Sequence, residues 1–382
     1  MNENSISRRH FLARCGRCTV ACAGAGLLWG LPSSAPAAEL KQGHIGKKRS
    51  PYFSPLENDR IRCTLCPRFC EVAPGERGHC EVRENIDGQY YSLVYGNPCA
   101  VHADPIEKKP FFHVLPATRS FSLATAGCNL DCKFCQNWEI SQAIPDNTYN
   151  YDLSPETVVA MARRYKCRSI ASTYVEPTIF MEYMLDIGKL AQKAGLLKVM
   201  HSNGYINPGP LSDLCDCLDA ACIDLKGFTE AYYREMTGGD LQPVLDTLKE
   251  LHRRKIHTEL VTLLVPGKND GQGMLREMSQ WIRDELGPGT PLHFSRFHPM
   301  YKLKSLPPTP AATLEKARET AMEAGLRFVY IGNVPGNEGE HTHCPGCHKP
   351  VIERVGYRIR ANHLKSGACA FCGEAIPGIW AT

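Results

Sequence analysis

Residues 120–138 read SFSLATAGCNLDCKFCQNW: a short β-rich run, a bounding glycine at Gly127, then Cys128, Cys132 and Cys135 within eight positions, with Phe134 just before the last. The run reads as a strand and the cysteines as the loop that leaves it. A cubane [4Fe–4S] cluster wants four ligands. Three thiolates at C-x3-C-x2-C spacing supply three and leave the fourth iron open.

The same alternation continues outward. SIASTYV, KVMHSNG, ACIDLKG, HTELVTLLVPG and PLHFSRFHP are further β-rich runs bounded by Gly or Pro. Between them lie stretches of helical period, among them SPETVVAMARRYK, PTIFMEYMLDIGKLAQKAG, LQPVLDTLKELHRRK, MLREMSQWIRDELG and TPAATLEKARETAMEAG. Ser154 and Thr309 stand where N-caps belong, and Gly195, Gly287 and Gly325 follow helix ends. Six strand–helix units over residues 118–335 predict an α/β domain with a parallel sheet and right-handed crossovers, either a partial barrel or a doubly wound sheet. In both, chemistry gathers at the carboxyl ends of the strands. The cysteine loop, Glu176, His201 to Gly204, Asp224 to Lys226, Asn269 with Asp270, and His298 all follow predicted strands at that edge.

Nineteen cysteines in 382 residues, mostly at CxxC-type spacing, point to metal ligation rather than disulfides. Residues 61–117 form a turn-rich segment in which Cys63, Cys66, Cys70 and Cys80 can close around zinc or an auxiliary iron–sulfur cluster. Residues 336–382 carry two knuckles, Cys344/Cys347 and Cys369/Cys372, the pattern of a zinc ribbon with a structural role. Cys99, Cys167, Cys215, Cys217 and Cys222 lack paired spacing and read as core residues. Residues 38–60 read as a polar linker. Residues 1–37, with Arg8 and Arg9 ahead of a mildly apolar Ala/Gly-rich stretch and an APA at Ala35 to Ala37, resemble a twin-arginine export signal. Gly24, Gly26, Gly30 and Pro32 argue against a stable membrane span there. Without those residues, which hold four Arg and one Glu, the formal charge of +4 falls to +1, so no nucleic acid partner is expected.

C-x3-C-x-Φ-C after the first strand of a parallel α/β domain resembles the radical S-adenosylmethionine (radical SAM) superfamily. CTLCPRFCEVAPGERGHCEVREN, DPIEKKPFFH (104–113), STYVEPTIFMEYM, SNGYI, IDLKGF, LVPGKND, FHP and the terminal ribbon further resemble the AmmeMemoRadiSam system enzymes, relatives of pyruvate formate-lyase activating enzymes. The resemblance implies a partial (β/α)6 TIM-like barrel. It also implies a [4Fe–4S] cluster on Cys128, Cys132 and Cys135, and S-adenosylmethionine chelating the open iron. It gives Glu176 and Lys226 the amine and carboxylate of SAM, Phe134 a place beside the cluster, and Asn203 and His298 the nucleoside side. Family members often have GGE where this chain has Tyr174-Val175-Glu176. Activating enzymes have an acidic residue before the Asn-Gly turn where this chain has His201-Ser202, which leaves Asp224 as half of their cation site.

The activity so implied is reductive cleavage of SAM to methionine and a 5′-deoxyadenosyl radical that takes hydrogen from an unknown substrate. It needs no acid–base side chain, and none is nominated. The electron donor would be of flavodoxin or ferredoxin type, with AmmeMemoRadiSam-system proteins as partners. Three alternatives stand beside it: a glycyl-radical enzyme activating enzyme, a non-catalytic iron–sulfur electron carrier, and a zinc-ribbon nucleic-acid binder. The signal points to the periplasm and the supply of SAM to the cytoplasm. Tyr174, Tyr205 and Tyr301 read as core or rim aromatics, and Lys108 and Lys109 as a solvated loop.

Overall fold

The β-rich runs assemble into one eight-stranded sheet whose spatial order follows the chain: β1 (Ala100–Pro105), β2 (Arg119–Ala124), β3 (Ser169–Ser172), β4 (Leu197–Ser202), β5 (Ala220–Asp224), β6 (His257–Leu264), β7 (Leu292–Arg296) and β8 (Val329–Gly332). The computed structural model describes residues 40–380; the signal expected over 1–37 lies outside them. Strands β2 to β8 are parallel, and β1 pairs antiparallel with β2, Asp104 opposite Ser120. With β1 and β8 at opposite edges the barrel is open. The partial barrel therefore has one parallel strand more than the six units counted in the sequence, plus an antiparallel edge.

Helices α1 (Pro155–Arg164), α2 (Met181–Lys193), α3 (Pro208–Cys215), α4 (Glu230–Thr237), α5 (Gln242–Arg253), α6 (Gln272–Leu286) and α7 (Ala311–Glu323) lie between the parallel strands in the chain. Val244, Leu245, Leu248 and Leu251 recur at helical spacing on α5 and are buried in one apolar core with sheet residues such as Phe121 and Ile170. Ser154 caps α1 as expected, its Oγ accepting from the Thr157 amide at 3.3 Å. Thr309 does not cap α7. Pro310 holds the N-cap position, and the Thr309 hydroxyl donates to the Leu264 carbonyl and accepts from the Phe297 amide, tying two strand-end loops together. Gly195, Gly287 and Gly325 end α2, α6 and α7 with positive φ.

A second core gathers Ala171, Val199, Ala220, Cys222 and Val261 from alternate positions of β3 to β6 around Ile106, Phe111, Val114 and Leu115. The DPIEKKPFFH segment thus fills the sheet's concave face. Its backbone is anchored by Glu259 of β6, a fully buried carboxylate that accepts from the Phe112 and His113 amides and from His293 Nε2 at 2.7 Å. Against its burial, hydrogen bonds from His257 and His293 and the positive charge they lend hold Glu259 ionised well below the usual carboxylate range.

The stretch read as a linker is built into the body. Leu40–Gln42 pairs with Tyr149–Tyr151, Lys48–Arg49 with Tyr91 and Ser92, and Phe53–Pro55 with Ile61–Cys63. Polar side chains hide such pairing from a composition reading, because the bonds are made by the backbone. At the other end, Thr342–His343, Pro350–Val355 and Arg358–Asn362 form a small sheet seated on Phe112, Phe328 and Tyr330. Among the described residues, no helix is long and apolar enough to cross a membrane.

Candidate functional site

Each strand end contributes to one rim. β2 ends at Ala124, and the loop after it carries the three cysteines before a single helical turn at Trp138–Ser141. Hydrogen bonds from the Asp131 amide to the Thr237 carbonyl (2.8 Å) and from the Lys133 amide to the Met236 carbonyl (2.9 Å) fasten this loop to the end of α4. Gly127 must be glycine: it has φ 90°, and a Cβ there would lie 2.6 Å from the Cys80 carbonyl oxygen.

Glu176 follows β3 and is buried. Its Oε1 accepts from the Thr178 amide (3.0 Å), the Thr178 hydroxyl (2.6 Å) and the Ser202 hydroxyl (2.8 Å), while Oε2 accepts from the Asn203 amide at 2.7 Å. Burial nevertheless raises its pKa. One oxygen is therefore saturated, and Oε2 keeps a lone pair. Burial pushes the Cys128 thiol well above its ordinary pKa, and the negative charge of Glu176 nearby adds to the rise.

Lys226 follows β5. Its Nζ donates to Asp224 Oδ2 at 2.7 Å and lies 5.9 Å from the centre of the Phe134 ring. Burial alone would lower the Lys226 pKa; Asp224, and then Cys132, overrule it and hold the group protonated. Burial pushes the Cys132 thiol up to about 12, opposed by Lys226. A carboxylate is thus within electrostatic reach of Cys128 and an ammonium within reach of Cys132. Phe134 is buried and stacks on Tyr232 at 6.5 Å.

The other expected residues divide. Asn203 is buried with its amide committed: Nδ2 donates to Asn129 Oδ1 in the cysteine loop, and Oδ1 accepts from the Tyr205 amide, both at 2.8 Å. His298 is exposed on the loop after β7. His201 Nε2 meets Asp224 Oδ1 at 2.8 Å, so both carboxylate oxygens of Asp224 already have nitrogen partners, the second being Lys226. Asn269 braces the rim by donating to the Lys226 carbonyl at 2.7 Å. The loop after β7 folds back over the cysteine loop, with Tyr301 stacked on Trp138 at 5.4 Å and the Lys302 amide bonded to the Lys133 carbonyl.

Lys109 is not solvated. It is 1% exposed, donates to Asp104 Oδ2 at 2.7 Å and to the Tyr174 hydroxyl at 3.0 Å, and is lowered to about 8 by burial against the pull of Asp104. Tyr174 in turn donates to Asp104, and its φ is 69°. That left-handed backbone is the one a glycine tolerates most readily. Here a tyrosine occupies it, clamped from below by Asp104 and Lys109, and its carbonyl accepts from Asn137 Nδ2 beside the cysteines. Tyr174→Phe removes a hydrogen bond to a charged group and is expected to cost about 1.5–3 kcal/mol. Urea unfolding checks this; a change under about 0.5 kcal/mol would show that the clamp does not hold the loop.

Among the described residues, Cys344, Cys347, Cys369 and Cys372 form the set of three or more potential ligands whose atoms all lie within 4.8 Å of one another, with Cys344–Cys372 sulfurs at 3.5 Å and Cys347–Cys369 at 3.8 Å. That spacing suits one tetrahedral ion.

A family model described as the radical SAM superfamily matches residues 122–278. An uncharacterized protein of Methanocaldococcus jannaschii is 46% identical over 327 residues, covering 85% of this chain and 97% of that one. A putative glycyl-radical enzyme activating enzyme of the same organism is 26% identical over 151 residues, 38% of this chain and 56% of that one. Among solved structures, a radical SAM methyltransferase from Sphaerobacter thermophilus aligns with a TM-score of 0.46 at 12% identity, covering 78% of this chain and 81% of that one. A domain of a pyruvate-formate lyase-activating enzyme from Bacteroides vulgatus ATCC 8482 aligns at 0.39 and 12% identity, covering 43% and 99%.

Proposed function

The chain carries a radical SAM superfamily domain, and on that premise we propose that it is an enzyme whose Cys128, Cys132 and Cys135 hold a [4Fe–4S] cluster for reductive cleavage of SAM. The family implies both cofactors. The observation that carries the reading is the pair of opposite charges at the cysteine loop: Glu176, joined to that loop through Asn203 and Asn129, and Lys226, whose Nζ lies 5.9 Å from the centre of the Phe134 ring. A zwitterion such as the amino-acid end of SAM needs one acceptor and one cation, and the two are there.

When bound, cluster and SAM supply one-electron cleavage of a carbon–sulfur bond, giving methionine and a 5′-deoxyadenosyl radical. The protein's own part is orientation and exclusion of water. Glu176 Oε2 offers its remaining lone pair to the amine. Lys226 offers the carboxylate the protons that Asp224 does not take. Phe134 and Tyr232 keep water from the thiols. Asn203 serves the nucleoside side through the turn it fixes, and His298 through its exposed ring. The substrate is a class apart from these residues and is left open. The electron donor is of flavodoxin or ferredoxin type, and the motif order of the whole chain supports an AmmeMemoRadiSam-type enzyme with partners from that system.

Lys226→Met is expected to raise the SAM concentration for half-maximal cleavage roughly 10- to 100-fold, the worth of a charge-assisted hydrogen bond, with iron content unchanged. Following 5′-deoxyadenosine against SAM concentration in the reduced chain, with iron counted in parallel, reads both. An unaltered SAM dependence would remove Lys226 from the site, and a wild-type chain that never forms 5′-deoxyadenosine would remove the enzyme reading in favour of an electron carrier. The similarity to a putative glycyl-radical activating enzyme supports a second reading, in which the hydrogen comes from a protein backbone; hydrogen loss from a glycyl-radical protein would select it.

A further inference from the structure

The chain holds two sets of four cysteines, and they are built differently. The C-terminal set has collapsed to sulfur contacts, all within 4.8 Å. With Zn–S bonds of about 2.3 Å, tetrahedral geometry places sulfurs about 3.8 Å apart, so that set is already at the spacing of a single ion. Cys63, Cys66, Cys70 and Cys80, also among the described residues, do not form such a set. Instead all four residues line one pocket, whose wall is completed by Leu65, Arg83, Tyr90 and Ile179.

The spread is imposed by the backbone. Cys63 ends a strand paired with Phe53, and its amide donates to the Cys70 carbonyl at 2.8 Å. A turn closes from the Phe69 amide to the Cys66 carbonyl, and another from the Glu81 amide to the Gly78 carbonyl. Gly78 lies against Cys70, where a Cβ would meet its Sγ at 3.8 Å and the Tyr90 hydroxyl at 2.9 Å, so the cavity is shaped by the absence of a side chain. Arg83 is fixed on its wall by Glu182 and Ser50.

From this contrast we infer that Cys63, Cys66, Cys70 and Cys80 bind a polynuclear iron–sulfur cluster and not zinc. A cluster presents a different iron to each thiolate and so holds its ligands farther apart than one ion does. Four protein thiolates ligate a cubane completely, so this site has no open iron for SAM. It stands next to the first loop nonetheless, since the Cys80 carbonyl lies against Gly127. The assignment does not depend on what Cys128, Cys132 and Cys135 bind.

The test counts metal and acid-labile sulfide in the full chain purified without oxygen, beside a Cys128→Ala, Cys132→Ala, Cys135→Ala variant that leaves the second site untouched. The triple variant is expected to keep about four irons and about four sulfides per chain, with the broad visible absorption of iron–sulfur charge transfer. Adding Cys63→Ser and Cys70→Ser should remove both. A triple variant holding no iron or sulfide, with zinc in their place, would overturn the inference. Should that variant fail to fold, Cys63→Ser with Cys70→Ser in the otherwise unaltered chain decides: a loss of about four irons per chain relative to wild type supports it and an unchanged iron count overturns it.

Discussion

Cys132→Ala is expected to reduce 5′-deoxyadenosine formation to background, a loss of more than about a hundredfold, since changes even to residues that merely support metal ligands cost 10- to 100-fold. The reason is numerical. Three thiolates already leave one iron without a protein ligand, and removing the central one leaves a cubane held by two. The loop itself should survive, because the amides on either side of Cys132 stay bonded to Thr237 and Met236. The side chain lost is small, so stability should change by no more than about 1 kcal/mol. Iron should fall by the content of one cluster, counted chemically on the same sample. If the variant cleaves SAM at the wild-type rate, the three-cysteine loop is not the site.

The second large effect concerns stability. Arg83 is fully buried and pairs with Glu182 of α2 through Nη1–Oε1 at 2.9 Å and Nη2–Oε2 at 2.6 Å; its Nε also donates to the Ile179 carbonyl at 3.0 Å. This two-pronged contact fastens the cysteine-rich segment to the barrel. Glu182→Ala strands a guanidinium without its counter-charge where water does not reach, which costs about 3–5 kcal/mol. Replacing both partners with apolar residues of similar size, Arg83→Met with Glu182→Met, should cost far less, because no charge is left behind. Urea unfolding of the two variants separates these outcomes. A loss under about 1 kcal/mol for Glu182→Ala, the range of exposed ion pairs, would mean that water reaches Arg83.

Much of the rim was legible because the parallel strands lie in chain order, so a residue just after a β-rich run had to arrive at the same edge. Cys128, Glu176, Asn203, Lys226 and His298 all do. Strand β8 escaped notice since four residues after a helix-ending Gly325 give little pattern to read. β1 was hidden by its composition: Ala100–Pro105 holds a His, an Asp and a terminal Pro, a tolerable sequence only at an edge. Lys109 and Arg83 were illegible for a different reason. A charged residue reads as exposed until its partner is known, and Tyr174 lies 65 positions from Lys109 and Glu182 lies 99 from Arg83. Asn203 does follow β4 at the rim, but sequence cannot show that its amide is spent on Asn129 and Tyr205. Spacing could not tell the two four-cysteine sets apart either, because what distinguishes them is the distance between sulfurs across folded loops.

The proposed function requires an iron, held near Glu176 and Lys226, that is open to the amino-acid end of SAM. Electron paramagnetic resonance of the reduced, oxygen-free chain tests it directly, with SAM labelled at its amine nitrogen or carboxylate so that coupling to the cluster can be seen. The account predicts that SAM shifts the signal lost in Cys132→Ala and that the label couples to it. A signal from that cluster left unchanged by saturating SAM would contradict it.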